Sequence, residues 1–359
     1  MKRARVWLDP KFFLGLLVSA FFLFIAFYKI TLHPFGVTPR VDFHLMWIAM
    51  TQANKLLLLA VSAQVLFMLF VRGHRWSLFL KPIKRVPWIP LGWSTCIGFA
   101  VNNLLPARLG EVARSISASR KTKIGFGAVF GTVVVERIYD TLSLLVLFVL
   151  SLYVWEFAGP MDKLAAAVRE QFGVNISQRV IAINLSALVG LILLIVVLLK
   201  WKTELALRIA GFFFRVLPAR WREKTLTGVR NFIGGLTQTT EPLEVIWILI
   251  ISAGLWVISA FSVWVGLAAC GLHAGATDAI FVLMSMAIAV SIPASPGYVG
   301  PYHFLAATAI TLCLGTPWDQ AMGAAIVIHL ANYIPQTVFG LFALAREGLS
   351  LKEIEEAKA

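Results

Sequence analysis

The chain has 359 residues, 59% of them hydrophobic and 14% charged, with a mean hydropathy of +0.82. Soluble globular domains sit nearer about 45–50% apolar and about 25% charged, so a cytosolic enzyme, a disordered regulator and a secreted disulfide scaffold are excluded. The formal net charge of +14 gathers in short loops between apolar runs; it reads as topology signal and anionic-lipid attraction, not as a nucleic-acid surface.

The first apolar run, about 12–30, follows a basic start (Lys2, Arg3, Arg5, Lys11). It is longer than a signal core and no small-x-small cleavage site follows, so an uncleaved first span with a cytoplasmic N-terminus is expected. Residues 31–52 suit an outer loop. A second span, about 53–71, returns to a basic inner loop with Arg72, Arg75, Lys81, Lys84 and Arg85. From Ile89 the chain is apolar only to Leu105, breaks at Pro106, and reaches a second basic cluster at Arg120, Lys121 and Lys123. Two basic clusters so close cannot take opposite faces, and proline interrupts a helix. A re-entrant hairpin with its tip near Pro106 satisfies both constraints.

A long apolar segment, about 124–157, exits to a loop at 156–177 with a net charge of −1, and 178–199 returns. Residues 200–241 carry a net charge of +5 and form a cytoplasmic linker, with an amphipathic helix lying along the surface. A span at about 242–270 leaves again. A second broken element follows: an arm near 279–292, the tip PASPGYVGP, and an arm near 302–314. Its flanks are almost uncharged, so it should re-enter from outside. The last span, about 319–345, ends at Arg346 and Lys352, which places the C-terminus in the cytoplasm. The expectation is an all-α polytopic protein of the plasma (inner) membrane, one integral-membrane domain over 1–359. It would hold about six full transmembrane helices and two re-entrant helical hairpins.

The two tips match. Pro106-Ala107-x-x-Gly110-x-Val112 aligns with Pro293-Ala294-x-x-Gly297-x-Val299 at an offset of 187. At an offset of 193, Glu136, Tyr139 and Asp140 correspond to His329, Asn332 and Tyr333. Because one hairpin opens inward and the other outward, the repeats, about 53–157 and 242–345, are inverted. Paired broken helices in inverted repeats point to a transport site near the midplane; the competing reading is that Pro and Gly merely kink two long helices.

Arg108, Glu111 and Arg114 follow the first tip at i, i+3, i+6. Glu136 and Asp140 are i, i+4 neighbours with Arg137 beside them, and Glu136 lies roughly 18 Å deep at 1.5 Å per residue. Ionisable groups at such depth cost ~3 kcal/mol or more unless paired or hydrated. His329, Asn332, Tyr333 and Gln336 form a polar stripe that must face protein or a wet cavity. These groups suit either a static ion-pair clamp or a ligand site; for Arg108 and Arg114, beside a helix break, an anion site is the better reading. Glu136 and Asp140, as buried like charges, suggest that one is neutral. The cysteines Cys96, Cys270 and Cys313 lie in apolar segments without metal or disulfide spacing. No phosphate loop, HExxH or nucleophile elbow occurs. No cofactor or metal is therefore expected, and any driving force would be an ion gradient or the gradient of the transported molecule itself.

The motifs NNLLPARLGEVAR at 102–114, VERIYD at 135–140 and IPASPGYVG at 292–300, together with Arg75-Trp76, carry a family likeness. The sequence resembles the flippase-like family built on the transmembrane region of lysylphosphatidylglycerol synthase. The resemblance implies a module that moves lipids between leaflets, with Asn103, Ser295, Gly297, Tyr298, Tyr302 and His303 joining the polar residues above as substrate-binding candidates. Two departures fall at the second tip, where the family commonly has a glycine at Tyr298 and an acid at His303. The soluble aminoacyl-transferase domain of two-domain members is not expected here. The expected function is a flippase or scramblase for a lipid with an anionic head group, a phospholipid or polyprenyl-phosphate lipid. A membrane-embedded head-group transferase or hydrolase, using Glu111, Glu136, Asp140 and His329, and a non-transporting partner of a lipid-modifying enzyme are the alternatives.

Overall fold

The computed structural model describes residues 10–32, 35–105, 109–154 and 242–349, with isolated positions between 166 and 214. The expected helices at 178–199 and in the 200–241 linker fall largely outside them. Helix α1 (Pro10–Phe27) is followed by strands β1 (Tyr28–Leu32) and β2 (Phe35–Pro39), paired antiparallel from Tyr28↔Pro39 to Leu32↔Phe35. This short hairpin is the exception to the helical architecture among the described residues, and it shortens the first span, because Tyr28-Lys29-Ile30-Thr31 pairs its backbone with β2 and leaves the helix. Helix α2 (Phe43–Thr51) begins where the Asp42 carboxylate accepts from the His44 and Leu45 N–H groups.

Helix α3 (Lys55–Leu80) is capped by the Asn54 side chain, which accepts from Leu56 and Leu57. It runs well past residue 71, so Arg72 and Arg75 belong to the helix and not to a basic loop. The cause is apolar periodicity that continues through Leu69, Trp76, Phe79 and Leu80, all buried. Helices α4 (Trp88–Leu104) and α5 (Gly110–Thr122) fold back antiparallel. The Ser94 and Ser117 hydroxyls are 2.6 Å apart, and the Gly110 N–H donates to the Asn102 amide oxygen. A Cβ on Gly110 would lie 2.0 Å from the Gly98 carbonyl, so the arms touch only because both positions lack a side chain. Helix α6 (Phe126–Val154) completes the first half.

The second half repeats the order. A long helix α7 (Pro242–Ala269) precedes the arms α8 (Ala276–Ser291) and α9 (Pro301–Leu314), joined through a short 3₁₀ turn at Pro296–Tyr298, and α10 (Trp318–Glu347) closes it. Among the described residues, three helices are long and apolar enough to cross a membrane: α3, α7 from Leu243, and α10. Helices α3 and α7 run antiparallel, fixed by Asn54 N–H to the Ala269 carbonyl, Gln64 to the Ile258 carbonyl and Arg75 to Ser252. Proline 335 interrupts α10 and removes the donor for the Ala331 carbonyl; the Ser62 hydroxyl supplies it at 3.0 Å.

One end of the bundle is basic. There Lys84 reaches the Thr122 carbonyl, Lys81 pairs with Glu244, and Lys121 pairs with Glu347. The α4–α5 hairpin opens toward this end. The α8–α9 hairpin opens toward the other, where Trp318 donates to the Ala26 carbonyl and the Arg40 guanidinium lies 3.4 Å from the Trp318 ring. Helix α1 braces the second tip: a Cβ on Gly15 would come within 2.9 Å of the Ala294 carbonyl, and Ser19 exchanges hydrogen bonds with Ser295.

Candidate functional site

A cavity of about 430 Å³ lies between the two halves, with walls from α3 to α6 on one side and α7 to α10 on the other. One wall is apolar, built from Val65, Met68, Leu144, Leu283, Met286 and Val290; another presents Arg72, Glu111, Arg114, Arg137 and Asp140. A chamber with both characters suits an amphiphile better than an ion or a sugar alone.

The charged wall is organised around Arg75, which is fully buried behind it. Its guanidinium donates to Asp140 Oδ1 at 2.6 Å, Glu136 Oε1 at 2.9 Å and Ser252 Oγ at 2.9 Å. Arg72 meets Asp140 Oδ2 at 3.3 Å. Arg114 lies 3.0 Å from Glu136 Oε2 and its guanidinium carbon 4.9 Å from the Trp76 ring centroid. That ion pair is not aligned as a hydrogen bond, so Arg114 Nη2 and Glu136 Oε2 keep unused hydrogen-bonding capacity. Arg137 contacts Glu136 and Asp140 only at 3.5 Å and leaves 43% of its side chain exposed. Four guanidiniums thus face two ion-paired carboxylates, with Glu111 as a third acid in the cavity wall. The four cations offset the like-charge repulsion of Glu136 and Asp140, so the reason for expecting one of them to be neutral does not hold.

Of the expected site residues, Asn103, Glu111, Arg114, Arg137, Asp140, Tyr298, Tyr302, His329, Asn332, Tyr333 and Gln336 line the cavity. Glu136 does not; it is fully buried and holds Arg75 and Arg114. Glu136 reaches across from α6 to Arg114. Arg108 lies outside the described residues, as do Pro106 and Ala107. Ser295 is not in the wall, since both its hydroxyl and its N–H bond Ser19. Gly297 (φ +72°) is not in the wall either; a Cβ there would come 2.8 Å from the Tyr333 ring, so its glycine lets the tip pass α10. His303 sits behind His329, with its Nε2 3.2 Å from His329 Nδ1. Asn103 joins the halves, donating to Thr337 and accepting from Tyr333 Oη at its carbonyl.

Tyr298 adopts φ +57°, a left-handed conformation that costs a side-chain-bearing residue roughly 1–2 kcal/mol and glycine nothing. The expectation of a family glycine at this position therefore has a backbone cause. Sequence reasoning missed Arg72 and Arg75, read as loop charges, and Trp256 and Ser262, which line the cavity from α7. The signal for Arg75 was present in the buried apolar positions that continue beyond it. No cluster of metal-ligating side chains occurs among the described residues.

The family described as the lysylphosphatidylglycerol synthase TM region matches the chain over residues 12–340. The chain belongs to that family. It is a multi-pass membrane protein of a family tied to lipid metabolism or transport. No curated protein and no solved structure matches it.

Proposed function

We propose that this member of the lysylphosphatidylglycerol synthase transmembrane family moves a lipid with an anionic head group, a phospholipid or a polyprenyl-phosphate lipid, between leaflets. It does so without chemical change to the lipid. The observation that carries this reading is the cavity between the two halves, where an apolar wall meets three arginines, Arg72, Arg114 and Arg137, that outnumber the two carboxylates lining it, Glu111 and Asp140. Arginine's fork geometry suits bidentate contact with a phosphodiester. The apolar wall offers acyl chains an oil-like surface beside the charged one.

The two halves act as inverted repeats, each a long helix, a re-entrant hairpin and a second long helix. The antiparallel course of α3 and α7 and the opposite openings of the hairpins support this. The basic end faces the cytoplasm of the plasma membrane, with both termini there. Against a transferase or hydrolase stands the commitment of the best acids: Glu136 is buried behind the wall and Asp140 is held by Arg75 and Arg72, which leaves neither free to exchange protons with a substrate.

The test is reconstitution into liposomes carrying leaflet-labelled phosphatidylglycerol, with head-group analysis after the assay. Label should cross with its head group unchanged, and Arg137→Gln should slow the crossing roughly tenfold, the worth of one charge-assisted hydrogen bond, without unfolding the protein. Altered head groups would instead establish an enzyme, and neither crossing nor alteration a non-transporting partner.

A further inference from the structure

The second tip turns through three residues with positive φ: Gly297 at +72°, Tyr298 at +57° and Gly300 at +101°. Two of them are glycine, which enters that region freely; a side chain makes it costly. The turn cannot relax away from it. A Cβ on Gly297 would lie 2.8 Å from the Tyr333 ring of α10, and one on Gly300 2.6 Å from the Ser19 carbonyl of α1. Tyr298 is thus held left-handed between two braced neighbours. Strained residues that persist in a fixed backbone gather at functional sites, and this one lines the cavity.

The residue belongs to an aromatic part of the cavity wall. Tyr302 stacks on His329 with ring centroids 4.3 Å apart, and His329 meets Tyr333 edge-on at 5.5 Å. The Tyr302 hydroxyl donates to Met286 Sδ at 3.3 Å and the Tyr333 hydroxyl to the Asn103 carbonyl at 3.1 Å. All three rings line the cavity with Tyr298. Rings fixed this way do not yield to a ligand, because close-packed side chains move only at the expense of their neighbours' contacts. The turn also packs on α4, whose Asn102 accepts from the Gly110 N–H at the start of α5. Glu111 and Arg114 of the charged wall follow on α5, so Tyr298 adjoins the helix that anchors that wall.

Resting on the flippase reading, we propose that Tyr298 is a specificity-determining residue whose ring limits how far a head group extends beyond its phosphodiester, so that lipids with bulky head groups are excluded. The cavity holds about 430 Å³, toward the lower end of the roughly 300–1,000 Å³ of ligand pockets. In a space of that size one phenol ring decides which substituents fit. Glycine at this position would relieve the backbone and leave the space open; tyrosine fills it at the backbone's expense.

Isothermal titration of the purified protein with short-chain lipids tests the limit. Phosphatidylmethanol and phosphatidylinositol carry one phosphodiester charge each and differ in the bulk beyond it. The wild type should bind phosphatidylinositol roughly tenfold or more weakly, the discrimination a fitted pocket achieves. Tyr298→Gly and Tyr298→Ala should bind the two lipids nearly alike, while Tyr298→Phe, which keeps the ring, should keep the wild-type ratio. Tyr298→Ala should melt below Tyr298→Gly, since alanine retains the left-handed cost. Equal binding of the two lipids by the wild type, or a ratio that survives in Tyr298→Gly, would overturn the size limit; with both lipids weakened by Arg137→Gln, the anion site would still stand. Discrimination lost in Tyr298→Gly, but with no lipid crossing in liposomes, would support the limit and overturn the flippase reading alone. Binding of neither lipid, by the wild type or by Tyr298→Gly, would remove both.

Discussion

Replacing Arg75 by methionine is the sharpest test of how the charged wall is held. The unbranched thioether fills the space of the arginine stem, so the change is mainly electrostatic. Two carboxylates and one hydroxyl lose their donor at 2.6, 2.9 and 2.9 Å in a site with no solvent access. Removing one partner of a buried ion pair typically costs about 3–5 kcal/mol. Here Glu136 keeps Arg114 at 3.0 Å and Asp140 keeps Arg72 at 3.3 Å, so the lower end applies, ~3 kcal/mol or about a hundredfold in the folded-to-unfolded ratio. The assay is equilibrium unfolding by SDS in mixed micelles, followed by far-ultraviolet circular dichroism. Adding Glu136→Gln and Asp140→Asn removes the two acids that lost their donor but strips Arg72 and Arg114 of their counter-charges, so it should return only part of the loss, and the triple variant should fall short of additivity. Arg75→Lys should lie between the two, since an ammonium keeps the charge but cannot fork to both acids. If Arg75→Met unfolds at the wild-type SDS fraction, or the triple variant costs the sum of its parts, the network is not a clamp. Arg75 would then have to be reconsidered as part of the transport path.

Close packing gives a second prediction: Gly110→Ala, whose Cβ meets the Gly98 carbonyl and the Asn102 side chain, should cost ~3 kcal/mol by overpacking. Gly131→Ala on α6 meets nothing within 4 Å and should be neutral or stabilising by about 0.5–1 kcal/mol; thermal melts of the two variants in detergent check the contrast. Single cysteines at Arg85 and Arg120, with the native cysteines replaced, should both be labelled only from the cytoplasm, and labelling from opposite faces would eliminate the first re-entrant hairpin.

Membrane character, the positions of both helix breaks and the polar residues of the last span were legible in the sequence. Each rests on a local rule: apolar length for spans, proline and glycine for breaks, and the cost of burying a charge in hydrocarbon for the polar residues. The pairing of those residues was not legible. Arg75 follows Arg72 in a stretch whose charge reads as loop; only packing against α6 and α7, where Glu136, Asp140 and Ser252 converge on it, turns that charge inward. The same limit hid the strands at 28–39, whose pairing depends on a cross-strand register that a hydropathy window does not see. Ser262 and Trp256 are unremarkable in an apolar helix, and stand out because the fold buries their polar atoms at the cavity with no hydrogen-bond partner among the described residues. Sequence alone settles what a segment must avoid, since desolvation acts on each residue separately; which residue answers which is decided by tertiary structure, because an ion pair needs two groups within a few ångströms and chain separation carries no such distance.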